Sequence, residues 1–412
     1  MEEDTEEALH LPFSEDQIAG DQVLSFLNSV IATGDLAWLS GLLASQLLLQ
    51  CGDAYMPGLV DWLSKLCLFE DEELSDQAYL CLVALASRLP VRCNLSTPFV
   101  RCLWELGAKS SLMETCGLAP CKDVRRRQAS PDVISTFVTR ILDVVKAFAR
   151  HNVVEHEDIP NMIMVLLLIG FDTNSSAELR SEAMVIIDIL GSMVPASSSG
   201  HSDMEPVLCK RLLHFSDELT PVNKAFLVSF FCGGCPLMAR VARWLSHGLL
   251  VGDHIFDEQP YSSLPALEPI ADLLSPPGGS KAMFDVVSGA EEDNYFDDLL
   301  CYVQILNRAF NDVPAYVQEE KRLAAVNSQL STNGVAPASP EKTKTELQRI
   351  KHSLDVLHGK IVDTRAAHLD RSRVKAALQQ LSFRIYYARE AALKWYRAPR
   401  PANLRAYFRK PT

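Results

Sequence analysis

The chain has 412 residues, 48% hydrophobic and 22% charged, enough to bury a sizeable core and to form two or three folding units. Its longest nearly unbroken apolar stretch, Met162 to Phe171, is far shorter than the roughly 20 residues a bilayer-spanning helix needs. The acidic opening MEEDTEE resembles neither a secretory signal nor an Arg-rich transit peptide, so the expectation is a chain of the cytosol or nucleus with no membrane association.

Eleven cysteines, an odd number, fall mostly on apolar helix faces (Cys67, Cys81, Cys102, Cys209, Cys301), which points to buried thiols in a reducing compartment rather than a disulfide framework. The sequons at Asn94 and Asn174 are then idle. The net charge of -13 conceals two unlike parts. Residues 341–412 hold 17 Lys and Arg against 6 Asp and Glu, net +11, while the other 340 residues carry -24. Such parts face different partners, or each other.

In chain order, residues 1–17 read as an acidic, disordered lead-in. Val23, Phe26, Leu27, Val30 and Ile31 then take helical spacing, with Gly34 at the position of a C-terminal cap and Asp35 opening the next apolar run. Further helices are predicted over about 57–69, 74–88, 98–107, 131–150, 158–170, 176–194, 203–215, 220–231, 236–250, 264–274, 296–310 and 313–328. Pro57, Pro98, Pro131, Pro206, Pro221 and Pro236 fall near their starts, where a missing N–H costs nothing. Strand signals are almost absent. The expected fold is all-α, an irregular α-solenoid of HEAT- or armadillo-like helix pairs over residues 18–330.

A linker rich in Pro, Gly and Ser over 331–343 precedes a basic helical hairpin over 344–398 and a basic tail over 399–412. In the hairpin, Leu347, Ile350, Leu354, Leu357 and Ile361 form one heptad-like seam, and Val374, Leu378, Leu381, Ile385, Ala388, Ala392 and Trp395 form another. Pro399 and Pro401 end it.

Three groups of residues invite a chemical reading. Cys232-Gly-Gly-Cys235, followed by His247 and His254, has metal-like spacing, but zinc wants four converging ligands, and a Gly-Gly turn between core helices explains the same residues; no metal or cofactor is expected. Lys122 to Arg127 is a short basic cluster that suits nuclear import or is incidental. No phosphate loop, dinucleotide fingerprint, HExxH or GxSxG occurs, so neither enzyme activity nor a small-molecule substrate is expected.

The third group is the hairpin itself, where cations alternate with aromatics. Arg371, Arg373, Lys375, Arg384 and Arg389 are the candidate charges, and Tyr386, Tyr387 and Trp395 the aromatic anchors, for an acidic protein partner or DNA bound through residues 344–412. The competing reading is a solvated basic face on a helix whose aromatics are core.

The segment from Leu357 to Leu378 (LHGKIVDTRAAHLDRSRVKAAL), followed by Leu381 to Tyr387 (LSFRIYY), resembles fungal members of the CANIN family, the coiled-coil domain that interacts with SMC and non-SMC-element proteins. The upstream run Leu273-Leu-Ser-Pro, Met283-Phe-Asp-Val and Asp293 to Leu306 is similar to the family's turn, acidic loop and helix. The resemblance implies a non-catalytic regulatory subunit of the SMC five-six complex, nuclear, helping to place that ATPase on chromatin in DNA repair. It departs from the family in having only a short acidic segment where members carry long N-terminal extensions. From a different class, the same helices also suit a cytoplasmic adaptor for trafficking or the cytoskeleton, or a hydrolase with a non-local site.

Overall fold

Helix starts and stops follow local chemistry. Asp21 accepts hydrogen bonds from the backbone N–H groups of Val23 (2.8 Å) and Leu24 (3.1 Å) and so starts α1, Gln22–Thr33. Gly34 ends α1 at φ +67°, a conformation that strains any residue with a Cβ. Asp35 then accepts from Trp38 N at 3.0 Å and starts α2, Leu36–Ala44.

The computed structural model describes residues 9, 11–14, 17–18, 20–119, 126, 129–194, 204–253, 261, 264–275, 282–286, 294–331, 345–363 and 369–397. The helices after α2 are α3 (Met56–Leu66), α4 (Glu72–Ala86), α5 (Ser96–Glu105), α6 (Ser110–Thr115), α7 (Pro131–Arg150), α8 (Ile159–Phe171), α9 (Ala177–Met193) and α10 (Met204–Ser216). They continue as α11 (Pro221–Ser229), α12 (Pro236–Val251), α13 (Glu268–Leu274), α14 (Tyr295–Ala309), α15 (Val313–Ser331), α16 (Glu346–Lys360) and α17 (Leu369–Arg397). The fold is all-α. Among the described residues the one β feature is an isolated parallel bridge between Cys93 and Val154. No helix among them is long and apolar enough to cross a membrane.

The chain divides into two compact units, residues 1–215 with 230–241, and residues 216–229 with 242–412. In the first unit, α2, α4, α7 and α9 pack side by side in one row and α3, α5 and α8 in a second, with α3 against α4 and α8 against α9 joining the rows. This packing is compatible with HEAT- or armadillo-like helix pairs. The apolar stretch at Met162 is explained by α8, where Met162 to Leu167 and Ile169 are all buried, so the helix is apolar on every side. Polar side chains tie the first row together. Tyr79 donates to Asp143 at 3.0 Å, Arg140 pairs with Asp76, and Lys146 pairs with Glu182.

Part of the acidic lead-in is packed rather than free. Trp62 Nε1 donates to the Leu9 carbonyl at 3.3 Å, and Phe13 meets Tyr55 edge to face at 5.4 Å while lying against Gly58. The lead-in is not uniformly disordered because Phe13 supplies an aromatic anchor that its acidic composition hides.

In the second unit α17 packs against α14, α15 and α16, α16 against α13, and α14 against α11. The basic hairpin thus belongs to a larger compact unit and does not stand alone after a linker; residues 332–343 of that linker and the tail 399–412 lie outside the described residues. The first seam is buried through Leu347, Ile350, Leu354, Leu357 and Ile361, and the second through Val374, Leu378, Leu381 and Ile385; beyond them Ala388 and Ala392 are only half-buried, and the Trp395 side chain lies outside the described residues.

His247 lies wholly buried in this unit. Its Nε2 is 3.1 Å from the Tyr316 hydroxyl, which is 3.5 Å from the Ala309 carbonyl. The tautomer with hydrogen on Nε2 satisfies both contacts and leaves only the Nδ1 lone pair without a partner. Arg243 stands beside them, donating to Asn311 at 2.9 Å and Asp312 at 3.2 Å. Burial, reinforced by the Arg243 charge, pushes the imidazole down to about 3. The unfolded chain, with an ordinary histidine near 6.5, therefore binds the extra proton first as pH falls. His247 should cost the fold about 1.4 kcal/mol for each pH unit from 6.5 towards 3, fading as the lower value is approached. Urea titrations at several pH values should show that slope, and His247→Gln should flatten it; an unchanged slope would refute the assignment.

Candidate functional site

Helix α17 carries nearly all the side chains that the sequence singles out, and its two faces differ. The inner seam buries Val374, Leu378, Leu381 and Ile385. Opposite it, at the same 3-4 spacing, runs an outer stripe of Leu369, Ser372, Ala376, Gln379, Phe383, Tyr386 and Glu390, with Gln380 and Tyr387 beside it. Phe383, Tyr386 and Tyr387 are 49%, 46% and 64% exposed, and they touch one another, with centroid distances of 5.3 Å for Tyr386 to Tyr387 and 6.2 Å for Phe383 to Tyr387. Lys351 of α16 lies 5.8 Å from the Tyr386 ring while bonding Asp355.

Several of the candidate cations are turned into the fold. Arg384 donates to the carbonyls of Asn307 (2.7 Å) and Phe310 (2.8 Å), satisfying the open end of α14, and desolvation followed by the Arg308 charge lowers its guanidinium below the usual range. Arg371 donates to the Val362 carbonyl at 3.1 Å with its guanidinium 4.7 Å from the Phe296 ring. Lys375 bonds Asp363 at 3.0 Å, which holds that carboxyl below its ordinary value. Arg373 is exposed and Arg389 half-exposed, neither with a partner among the described residues. The helix continues through Trp395, whose side chain lies outside the described residues.

The physical reason for the inward turn is the C-terminal end of α14. Its last carbonyls need donors, and a long arginine on the flank of the adjacent helix reaches them without disturbing the seam. Arg211 does the same in the first unit, donating to the Cys116 carbonyl at 2.7 Å and to Asn161 at 2.8 Å. Sequence alone offers no sign that these arginines are structural.

The other two groups resolve differently. Cys232-Gly-Gly-Cys235 wraps the Asp188 carboxylate, which accepts from Gly234 N at 3.1 Å and Cys235 N at 2.8 Å. A Cβ on Gly233 would sit 2.2 Å from Asp188 Oδ1, so glycine is required by close approach of backbone to carboxylate. His247 is committed to Tyr316, and His254 lies outside the described residues. Among the described residues no group of three or more His, Cys, Asp or Glu is placed to hold a metal. The ten described cysteines are free thiols, all buried except the half-buried Cys232. Burial pushes Cys67 and Cys81 up to about 12. Of the Lys122 to Arg127 cluster only Arg126 is described; it lies 4.4 Å from the Trp104 ring and donates to the Ala108 carbonyl at 3.0 Å.

No family model, curated protein or solved structure matches the chain.

Proposed function

We propose that the chain is a non-catalytic scaffold subunit of the nucleus that binds protein partners through the outer face of α17, and that it serves the SMC five-six complex as a regulatory subunit in chromatin loading and DNA repair. The observation that carries the scaffold reading is the exposed cluster of Phe383, Tyr386 and Tyr387, set on a helix whose neighbouring cations Arg371, Lys375 and Arg384 are half-buried and bonded to partners within the chain. Contiguous exposed aromatics on a rigid helix favour a protein contact, where desolvated Tyr and Phe act as anchors. A phosphate backbone would instead require those cations outward. The resemblance over residues 357–387, which falls on this hairpin, supports the SMC assignment.

Affinity purification of the tagged full chain, followed by mass spectrometry, tests both parts. Wild type should recover SMC five-six subunits, and Tyr386→Ala with Tyr387→Ala should reduce recovery about tenfold or more without lowering thermal stability. Absence of SMC subunits from the wild-type eluate would refute the assignment, and recovery insensitive to both tyrosines would refute the α17 face.

A further inference from the structure

We infer that in the free protein the occupant of the outer face of α17 is a second copy of this chain, paired antiparallel through the same face and displaced when another protein partner takes it; this rests on the reading of that face as a contact surface and names what covers it before a partner binds. The stripe from Leu369 to Glu390 covers 22 residues, about 33 Å of helix at 1.5 Å per residue. Its two halves are unlike and complementary. The N-terminal half presents the small or slender Ala376 and Gln379 and the cation Arg373; the C-terminal half presents the bulky Phe383 and Tyr386 and the anion Glu390.

A two-fold axis level with residue 381 brings these halves together. Phe383 then stands opposite Gln379 of the second copy, Tyr386 opposite its Ala376, and Glu390 opposite its Ser372 and beside its Arg373. Each bulky ring meets a smaller side chain and each end meets the opposite charge, and the symmetry repeats both contacts, as an isologous interface requires. A parallel pair would stack Phe383 on Phe383, Glu390 on Glu390 and Arg373 on Arg373, placing like charges together at both ends. Arg373 is exposed and Glu390 half-buried, and neither has an ion-pair partner among the described residues, so pairing them across copies breaks no ion pair within the chain.

Sedimentation velocity on the purified full chain tests the inference. At micromolar concentrations the wild type should run at twice the 45.7 kDa chain mass. Arg373→Glu alone and Glu390→Arg alone should each weaken association about tenfold or more, because each places like charges together at both ends of the interface. The combined variant should restore it. A wild type that stays at the single-chain mass overturns the inference, as does a dimer indifferent to these charges and to Tyr386→Ala. A monomer that still recovers tyrosine-dependent partners leaves the scaffold reading standing without self-pairing. A charge-dependent dimer that recovers no SMC subunit supports the pairing and removes the SMC assignment.

Discussion

Asp158→Ala should destabilise the first unit by roughly 3–5 kcal/mol, enough to lower its melting temperature by roughly 10 °C. The Asp158 carboxylate is buried and accepts hydrogen bonds from the backbone N–H groups of Leu95 (2.7 Å) and Ser96 (2.9 Å) and from the Ser96 hydroxyl. These are donors at the start of α5, a helix that opens without a side-chain cap of its own. Removing the acceptor leaves them buried and unpaired, which costs more than the bonds are worth in exchange with water. The neighbouring bridge, in which Cys93 N donates to the Val153 carbonyl at 2.8 Å and Glu155 N to the Cys93 carbonyl at 3.1 Å, shares the same two segments and should loosen with it. Asp158→Asn can keep its amide oxygen on both backbone N–H groups and turn its NH2 to the Ser96 hydroxyl oxygen, but it loses the charge that strengthens these bonds, so it should fall between wild type and Ala. Differential scanning calorimetry on the three proteins decides; a change under about 1 kcal/mol for Ala would show that water replaces the carboxylate.

Arg240→Ala should cost about 3–5 kcal/mol, through the group it leaves behind. Glu205 has no exposed surface, and Arg240 grips both its oxygens, Nε to Oε2 at 3.0 Å and Nη2 to Oε1 at 2.5 Å. A buried carboxylate deprived of its bidentate cation retains its desolvation cost and loses the attraction that offset it. Replacing both members with apolar residues of similar length, Arg240→Met with Glu205→Met, should recover most of the loss, because no charge remains to be buried. Chemical denaturation of the two single variants and the double completes a cycle in which the singles are strongly coupled. If Arg240→Ala and the double variant lose equal stability, removing the stranded carboxylate brings no recovery and the charge-burial account fails.

The two sides of α17 differ in how far the sequence shows them. The inner seam was read directly from the spacing of Val374, Leu378, Leu381 and Ile385, because a period of 3.5 in apolar residues is a one-dimensional signal. The outer stripe has the same period, but its members include Ser, Gln, Tyr and Glu, which a hydrophobic pattern does not register as a face. Arg371, Lys375 and Arg384 were legible as charges and not as internal ligands, since their acceptors are the Val362, Asn307 and Phe310 carbonyls and the Asp363 carboxylate, set by how helices and loops meet. Short helix α6 has no legible sequence signal, because six residues carry too little periodicity to stand out.

Taken by itself, the sequence determined that the chain is all-helical, where most helices begin and end, and which side of the hairpin is buried. Each of these depends on neighbours within a turn or two: a cap such as Asp35, a glycine such as Gly34, an apolar step of three or four residues. Asp158 marks the limit of that reasoning. Followed by Ile159 and Pro160, it reads as the opening of its own helix, yet its carboxylate serves the start of α5 some sixty residues earlier. Asp188 in the Cys232–Cys235 turn, Glu205 under Arg240 and His247 beside Tyr316 are of the same kind. Burial makes the satisfaction of each polar group obligatory, but which partner satisfies it is decided only when distant helices meet.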